Sequence, residues 1–298
     1  MRPEHHIKNP ERRGLGKGLY LIPSVFTAAN IGMGFYAVMA AVRGFQFIGT
    51  GAEQDLILAS TYLDNAAKAI GWAVLFDMLD GRIARLTKTT TEIGVQLDSI
   101  ADVVTFGLAP AVLAYVWGYG ASLREGSDLH QLAWFLSFMY LMCGAFRLAR
   151  FNVQASRPRI LAEGTIKVDK KSFVGLPIPV AGGLIAAIIH FNPLPLLYYG
   201  PERAKIYSLF LMALVGLLGL LMVSTMRFSS FKTVGTRSRS MRTIMFAVAV
   251  GMLIFLYSRH VLLVLVVGYI LHGLLSRVVG VFRKRSELTE PKIEAEQM

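Results

Sequence analysis

Four aspartates stand in apolar stretches of the chain, at spacings that place each pair on one side of a helix. Asp77 and Asp80 are three residues apart, and Asp98 and Asp102 are four residues apart. At 3.6 residues per turn, both members of each pair share one helix face. A charged Asp at the centre of a membrane helix costs about 2.5–3.5 kcal/mol. Four such residues predict a metal site, a water-filled cavity or both.

Small residues accompany both pairs of aspartates. Gly81 and Ala84 lie on the face of the first pair, and Gly94 lies one turn before the second pair. Small side chains let a ligand or a facing backbone approach closely, and tight helix packing without a ligand is the alternative interpretation. The connection between the two stretches is short, which predicts antiparallel neighbouring helices. Four carboxylates would then converge across one interface.

The types of the side chains indicate which metal such a site would hold. Carboxylate oxygens in this number suit Mg²⁺ or Mn²⁺, and the absence of a nearby His or Cys argues against zinc. Cys143 is the single cysteine of the chain and lies within an apolar stretch. An internal disulfide is therefore excluded.

The elements that must position the aspartates are membrane helices. The chain has 298 residues, of which 54% are hydrophobic and 17% are charged. Its apolar residues fall in blocks of roughly the 20 residues that a membrane helix needs. We therefore predict an all-α, polytopic membrane helix bundle of about eight transmembrane helices. The predicted spans are 21–42, 62–81, 94–117, 131–152, 174–191, 206–226, 243–258 and 260–280.

The formal net charge of +12 is a topology signal. Most Lys and Arg residues fall in the termini and in alternate loops, which predicts that both termini are cytosolic and that the aspartates lie near the cytosolic surface. No basic soluble module accompanies these charges, so we expect no nucleic-acid partner. The predicted organisation is a basic N-terminal cytosolic segment at 1–20, a membrane domain at 21–285 and a polar tail at 286–298.

The spacing of the aspartates is similar to the signature of the CDP-alcohol phosphotransferases. The chain reads Asp77-x-x-Asp80-Gly81-x-x-Ala84-Arg85, then eight residues, then Gly94-x-x-x-Asp98-x-x-x-Asp102. Four further segments resemble the phosphatidylserine synthase branch. They are Pro23-x-x-x-Thr27-x-x-Asn30, 104–110 (VTFGLAP), 144–152 (GAFRLARFN) and 173–179 (FVGLPIP).

The resemblance implies a reaction and a role for each residue of the signature. A phosphatidyl group would pass from CDP-diacylglycerol to the hydroxyl of L-serine and give phosphatidylserine and CMP. Two divalent ions, Mg²⁺ or Mn²⁺, would be bound by Asp77, Asp80 and Asp98. Asp102 would act as general base and would also contact the second ion; the sequence does not distinguish base from ligand between Asp98 and Asp102.

Further residues are expected to contact the substrates. Those expected to contact the CDP-lipid are Thr27, Asn30, Gly81, Ala84 and Arg85. Thr27 and Asn30 can equally serve as polar contacts between helices. For the serine carboxylate the candidates are Arg147 and Arg150, because a guanidinium binds a carboxylate through two hydrogen bonds. Asn152 would contact the ammonium group or orient the acceptor. Topology alone also explains arginines at that boundary.

The resemblance extends to the setting of the protein. It implies a homodimer in contact with membrane lipids, in a prokaryotic cell membrane, with the active site facing the cytosol. Two other hypotheses remain open from the sequence. The same site could use another acceptor, namely glycerol 3-phosphate, inositol phosphate or choline. A cation transporter is a second class, although a translocation path would carry polar groups through the whole membrane thickness.

Overall fold

The structure is a computed structural model, and it describes residues 13–87, 92–156, 172–229, 252–254, 256–273 and 275. These residues are helical apart from loops and one pair of three-residue strands. The α-helices are α1 (Arg13–Ile48), α2 (Glu53–Thr87), α3 (Glu92–Asp102), α4 (Ala109–Ala114), α5 (Asp128–Ser156), α6 (Ile178–Phe191), α7 (Pro201–Val223) and α8 (Leu256–Gly273). The strands β1 (Ser172–Val174) and β2 (Arg227–Ser229) pair antiparallel.

Five helices of the described part are long and apolar enough to cross a membrane. They are Val25–Ile48 of α1, the continuous segment Ile93–Tyr119, Asp128–Gln154 of α5, Pro201–Val223 and Leu256–Gly273. The prediction of a helical membrane protein is confirmed at this level. Helix α2 is less apolar because it carries several charged residues, and α6 has 14 residues. A helix of that length rises about 21 Å, which is less than the hydrocarbon thickness of a bilayer.

Two predicted boundaries are wrong. The sequence placed a break between two spans at Ser258, Arg259 and His260, but these residues lie inside α8. Polar residues in an apolar run resemble a loop in a sequence, and here they are accommodated because Ser258 hydrogen-bonds to a neighbouring helix. The predicted span 174–191 begins only at Ile178, since the chain before it forms β1 and a turn at Gly175 with φ +82°. Residues 230–251 lie outside the described residues.

Helices α1 and α2 pack along their length through alanines. The buried alanines of these two helices include Ala37, Ala40, Ala41, Ala59, Ala66, Ala67 and Ala73. In lipid there is no hydrophobic force between helices, so close backbone approach through small residues is what stabilises such a pair. Helix α1 also packs against α3, so that α1, α2 and α3 meet at one end of the bundle.

The helix that begins with α3 changes its winding immediately after Asp102. Residues Val103–Leu108 form a π-helical segment, α4 follows, and a second π-helical segment spans Tyr115–Tyr119. Pro110 has no N–H to donate to the carbonyl of Phe106 four residues earlier. The hydroxyl of Tyr140 on α5 donates to that carbonyl instead, at 3.0 Å. A π-helical segment inside an α-helix often marks a functional site.

Replacing Tyr140 by Phe is therefore expected to destabilise the bundle. Tyr140 is fully buried, so its loss leaves the Phe106 carbonyl without this donor. We expect a cost of about 1–2 kcal/mol, seen as a lower midpoint of thermal unfolding in detergent. Tyr36→Phe is the matched control, since Tyr36 is 50% exposed on α1. Equal midpoints for the two variants would contradict this role of Tyr140.

Candidate metal centre and its surroundings

Three of the four predicted aspartates converge in the structure. One carboxylate oxygen from each of Asp77, Asp98 and Asp102 lies within 4.8 Å of the others. The i, i+3 and i, i+4 spacings bring this about, because they turn one face of α2 and one face of α3 to a common point. Asp102 is 8% exposed, while Asp77 and Asp98 are half-buried, so Asp102 forms the inner side of the site.

The fourth aspartate, Asp80, is held toward α1. It is 6% exposed, and the hydroxyl of Thr27 donates a 2.5 Å hydrogen bond to its Oδ2. Its Oδ1 is buried without a hydrogen-bond partner in the described part of the chain. Thr27 was predicted to contact the CDP-lipid, and in the structure its hydroxyl contacts the Asp80 carboxylate. The free Oδ1 leaves Asp80 able to bind a cation while Thr27 fixes its orientation.

Asn30 lies one turn beyond Thr27 and links α1 to the π-helical segment. Its backbone carbonyl accepts a 3.0 Å hydrogen bond from the hydroxyl of Thr105. Its side chain is 1% exposed and lies near Asp102, but neither polar atom of its amide makes a hydrogen bond of ordinary geometry within the described residues. Gly34 permits this close approach, since a Cβ there would lie 2.9 Å from Cα of Thr105. The Asn30 amide is thus available to a ligand beside Asp102.

The residues of the signature between the two pairs are described only in part. Gly81 on α2 and Gly94 on α3 are exposed, which leaves open space next to the aspartates. The side chains of Ala84 and Arg85, both predicted to contact the CDP-lipid, lie outside the described residues, as does the connection 88–91.

The three residues predicted to bind the acceptor point in different directions. Arg147 on α5 is 7% exposed, lies near Asp102, and its Nε has no hydrogen-bond partner in the described chain. Arg150 instead donates to the carbonyls of Val223 and Ser224, at 3.2 and 3.4 Å, at the carboxyl end of α7. Asn152 donates a 2.8 Å hydrogen bond to Ser99 on α3. Of the three, Arg147 is the one whose charge lies next to Asp102.

The donor set fits a hard divalent cation. Three carboxylates share one point, and Oδ1 of Asp80 and Oδ1 of Asp102 are buried without hydrogen-bond partners in the described residues. Such oxygens are costly unless a cation or water satisfies them. Oxygen ligands of this kind are those that Mg²⁺ and Mn²⁺ prefer. Asp77, Asp98 and Asp102, with Asp80 beside them, are called the aspartate site below.

Substituting Thr27 tests its effect on Asp80. Thr27→Val keeps the shape of the side chain but removes the hydroxyl that orients the carboxylate. Loss of a hydrogen bond to a metal ligand typically costs 10–100-fold in metal affinity. We therefore expect the Mg²⁺ concentration for half-maximal activity to rise by about 10-fold or more. Thr27→Ser, which keeps the hydroxyl, is the control, and a similar rise in both variants would contradict this role.

Sequence reasoning placed Thr27 and Asn30 of the first helix at the substrate, but it missed the hydrogen bond from Thr27 to Asp80 and the π-helical segment. It placed the carboxylates between two helices, whereas α1 packs against both of them. It also missed a second polar cluster around Asp64 and His190. The signal for that cluster was present, because an ionisable residue inside an apolar helix is a functional candidate in itself.

Together, the fold and the site define a polytopic helical membrane protein with a cluster of carboxylates near one end of its helices. A family model described as "CDP-alcohol phosphatidyltransferase" matches residues 20–200. The chain belongs to this family of transferases.

Several curated relatives carry the name CDP-diacylglycerol--serine O-phosphatidyltransferase. The protein from Helicobacter pylori is 34% identical over 216 residues, which cover 72% of this chain and 75% of the relative. The protein from Saccharomyces cerevisiae is 34% identical over 187 residues, or 63% of this chain and 57% of the relative. The protein from Methanocaldococcus jannaschii is 38% identical over 121 residues, or 41% of this chain and 48% of the relative.

Proposed function

We propose that the protein transfers the phosphatidyl group of CDP-diacylglycerol to the hydroxyl of L-serine, giving phosphatidylserine and CMP. The names of relatives from a bacterium, a yeast and an archaeon support this acceptor. The structural observation that carries the proposal is Arg147, a buried guanidinium beside Asp102 whose Nε has no partner among the described residues. A buried N–H donor of this kind requires an acceptor in addition to the nearby charge of Asp102, and a carboxylate oxygen of serine can be that acceptor.

The reaction requires positioning and charge neutralisation. The serine oxygen forms a bond to the lipid-linked phosphorus, and the bond from that phosphorus to the oxygen of CMP breaks. The aspartate site would hold Mg²⁺ or Mn²⁺, two ions in this proposal, whose charge offsets that of the diphosphate and of the departing CMP. Asp102 takes the proton of the serine hydroxyl as general base. Arg147 holds the acceptor carboxylate and so directs the hydroxyl to the phosphorus.

The CDP-lipid is assigned to the side of the site that α1 and α2 form. Thr27 and Asn30 border it on α1, while Gly81 and Ala84 leave room for cytidine and ribose, and Arg85 neutralises a phosphate. The Asn30 amide supports this assignment, because both of its polar atoms are buried and lack hydrogen bonds of ordinary geometry within the described residues. A nucleotide group would supply the missing partners.

The membrane arrangement is part of the proposal. It has about eight spans within 21–285, both termini in the cytosol, a basic segment at 1–20 and a polar tail at 286–298. The distribution of Lys and Arg supports this orientation and a site that faces the cytosol. A prokaryotic cell membrane remains an expectation. The homodimer remains an expectation from the family resemblance.

An assay of CMP release tests the function. Purified protein in detergent would receive CDP-diacylglycerol, Mg²⁺ or Mn²⁺, and in separate reactions L-serine, glycerol 3-phosphate, inositol phosphate or choline. We expect CMP release that depends on L-serine, with phosphatidylserine as the lipid product. Release with glycerol 3-phosphate alone would overturn serine as acceptor, and the absence of release with all four alcohols would overturn the transferase proposal.

Substituting Arg147 separates acceptor binding from topology. Arg147→Lys keeps the positive charge but loses the planar guanidinium that binds a carboxylate through two hydrogen bonds. We expect the KM for L-serine to rise by about 10-fold, with the KM for CDP-diacylglycerol little changed. Arg150→Lys is the matched control, since Arg150 contacts the end of α7. An unchanged KM for serine in Arg147→Lys would contradict the assignment.

A further inference from the structure

A second polar cluster lies on the opposite half of the bundle from the aspartate site. Its centre, Asp64, precedes Asp77 by thirteen residues on α2, a distance of about 20 Å along the helix. The residues of this distal cluster are Asp64 and Lys68 of α2, His190 of α6, and Ser258 and Arg259 of α8. Because the aspartate site is near one end of the helices, this separation places the distal cluster in the other leaflet.

Hydrogen bonds organise the interior of the distal cluster. Asp64 and His190 are 7% and 5% exposed, and Oδ1 of Asp64 lies 2.5 Å from Nδ1 of His190. The other ring nitrogen of His190 lies 2.9 Å from the hydroxyl of Ser258. His190 thereby joins α2 to α8 at the end of the short helix α6. Because His190 links α2 to α8, the helix positions that carry Lys68 and Arg259 are held close to each other.

The outer part of the distal cluster carries more positive than negative charge. Nζ of Lys68 lies 2.7 Å from Oδ2 of Asp64, and Nη2 of Arg259 lies 4.0 Å from the same oxygen. Asp64 is the acidic residue within salt-bridge distance of these two cations in the described part of the chain. One carboxylate therefore faces two cations, so one positive charge is left over even with His190 neutral. The side chains of Lys68 and Arg259 are 49% and 52% exposed, which leaves N–H donors open to the surroundings.

An exposed apolar stripe leads away from Lys68 along α2. Trp72, Leu75 and Leu79 follow Lys68 at offsets of 4, 7 and 11 residues, which is one helix face. They are 58%, 47% and 43% exposed. Leu79 adjoins Asp80, so the stripe extends about 16 Å from Lys68 to the depth of the aspartate site. Its part nearest the cations, Trp72 and Leu75, spans about 10 Å and offers apolar contact to an acyl chain whose headgroup lies at Lys68.

Polar and aromatic residues continue from the distal cluster to the end of α6. Two residues after His190, Asn192 accepts a hydrogen bond from the buried Trp117 at 3.0 Å and donates one to Tyr199 at 2.7 Å. Tyr is enriched at the level of lipid headgroups, and long Lys and Arg side chains extend toward that level. A lipid phosphate is therefore within reach of Lys68 and Arg259.

We propose that Lys68 and Arg259 bind the phosphate of an anionic phospholipid in the leaflet opposite to the aspartate site. Basic pockets between membrane helices are suited to such headgroups. Asp64 and His190 position the two cations, and the stripe on α2 receives an acyl chain. The net negative charge of the lipid offsets the surplus positive charge, so an anionic lipid is preferred to a zwitterionic one. The bound lipid would then be a structural partner, separate from the substrates.

Native mass spectrometry of the purified protein tests this proposal. The protein in detergent would be titrated with phosphatidylglycerol, with phosphatidylcholine and, separately, with inorganic phosphate. We expect tighter binding of phosphatidylglycerol, and about 10-fold weaker binding of it in Lys68→Gln/Arg259→Gln. Arg203→Ala/Lys205→Ala is the matched control, since it removes two exposed cations at the start of α7 and should bind as the wild type does. CMP release with serine should remain near wild type in both double variants.

A further variant controls for misfolding, which could follow if the buried charge of Asp64 were left without its two cations. Asp64→Asn/Lys68→Gln/Arg259→Gln removes the whole charged set, and it too should lose phosphatidylglycerol. Asp64→Asn alone should retain or strengthen binding, because it leaves both cations. The proposal is overturned if the triple variant binds the lipid as the wild type does, if phosphatidylcholine binds equally well, or if inorganic phosphate alone binds as tightly. None of these outcomes bears on the acceptor proposed above.

Discussion

Asp102→Asn is expected to lower CMP release by about 100- to 10,000-fold, the range that general-base catalysis contributes. The amide has nearly the same shape as the carboxylate but cannot take the proton of the acceptor hydroxyl. Asp102 is nine-tenths buried beside Arg147 and close to Asp77 and Asp98, so water does not readily replace it. Binding of CDP-diacylglycerol should stay within a few-fold of wild type, since Thr27, Asn30 and the first pair of aspartates are unchanged.

Two measurements on Asp102→Asn separate catalysis from folding. Turnover is measured as CMP release at saturating L-serine, and CDP-lipid binding is measured by isothermal titration in detergent at millimolar Mg²⁺. Asp128→Asn, an exposed position at the start of α5, is the control and should behave as the wild type does. Turnover near that of the wild type would contradict the assignment of Asp102 as general base. A parallel loss of lipid binding would instead assign it mainly to holding the ions.

Removal of divalent ions is expected to stop the reaction almost completely. The carboxylates of the aspartate site cannot neutralise a diphosphate, since they carry the same sign of charge. Protein treated with EDTA and desalted should release no more than about 1% of the CMP, and Mg²⁺ or Mn²⁺ should restore activity. Asp77→Asn should need a higher metal concentration for the same rate, because it removes one of the three converging carboxylates.

The control for metal removal is the thermal stability of the same preparation. A midpoint of unfolding that EDTA leaves near its original value shows that the loss of rate comes from the site and not from unfolding. Full turnover in a metal-free buffer would contradict the role of the aspartates as ligands. So would an unchanged metal requirement in Asp77→Asn.

The convergence of three carboxylates could be predicted from the sequence because it depends on spacing along two helices. Asp98 and Asp102 share a face whatever the rest of the fold does, and a short connection brings α3 back toward α2. The hydrogen bond of Thr27 to Asp80 could not be predicted in the same way. It depends on how α1 rotates against α2, which the long alanine seam determines through many small contacts.

The change from α-helix to π-helix after Asp102 was also not predicted. Pro110 predicts that a backbone donor is missing, but the sequence does not show that Tyr140, thirty residues later, supplies another donor.

The second polar cluster could not be predicted for a similar reason. Asp64 and His190 are 126 residues apart, and each alone is an isolated polar residue in an apolar helix. The break placed at Ser258 was wrong for this reason, since its partner His190 lies in another helix.

Arg147 and Arg150 show that helix spacing alone does not determine which groups a long side chain contacts. Two arginines three residues apart share a face of α5 approximately, but long side chains reach in different directions. Arg150 is directed to the end of α7, where the last carbonyls of a helix lack intrahelical donors. Arg147 remains at the aspartates. Burial and hydrogen bonds, which only the structure supplies, decide between them.

The central claim is that Asp77, Asp98 and Asp102 hold divalent ions together, with Asp80 beside them. Anomalous X-ray scattering from crystals of the protein grown with Mn²⁺ tests it most directly. We predict manganese peaks among these carboxylates, and their loss or marked weakening in crystals of Asp77→Asn. Manganese found only elsewhere in the protein, or the same peaks at full strength in Asp77→Asn, would contradict the account.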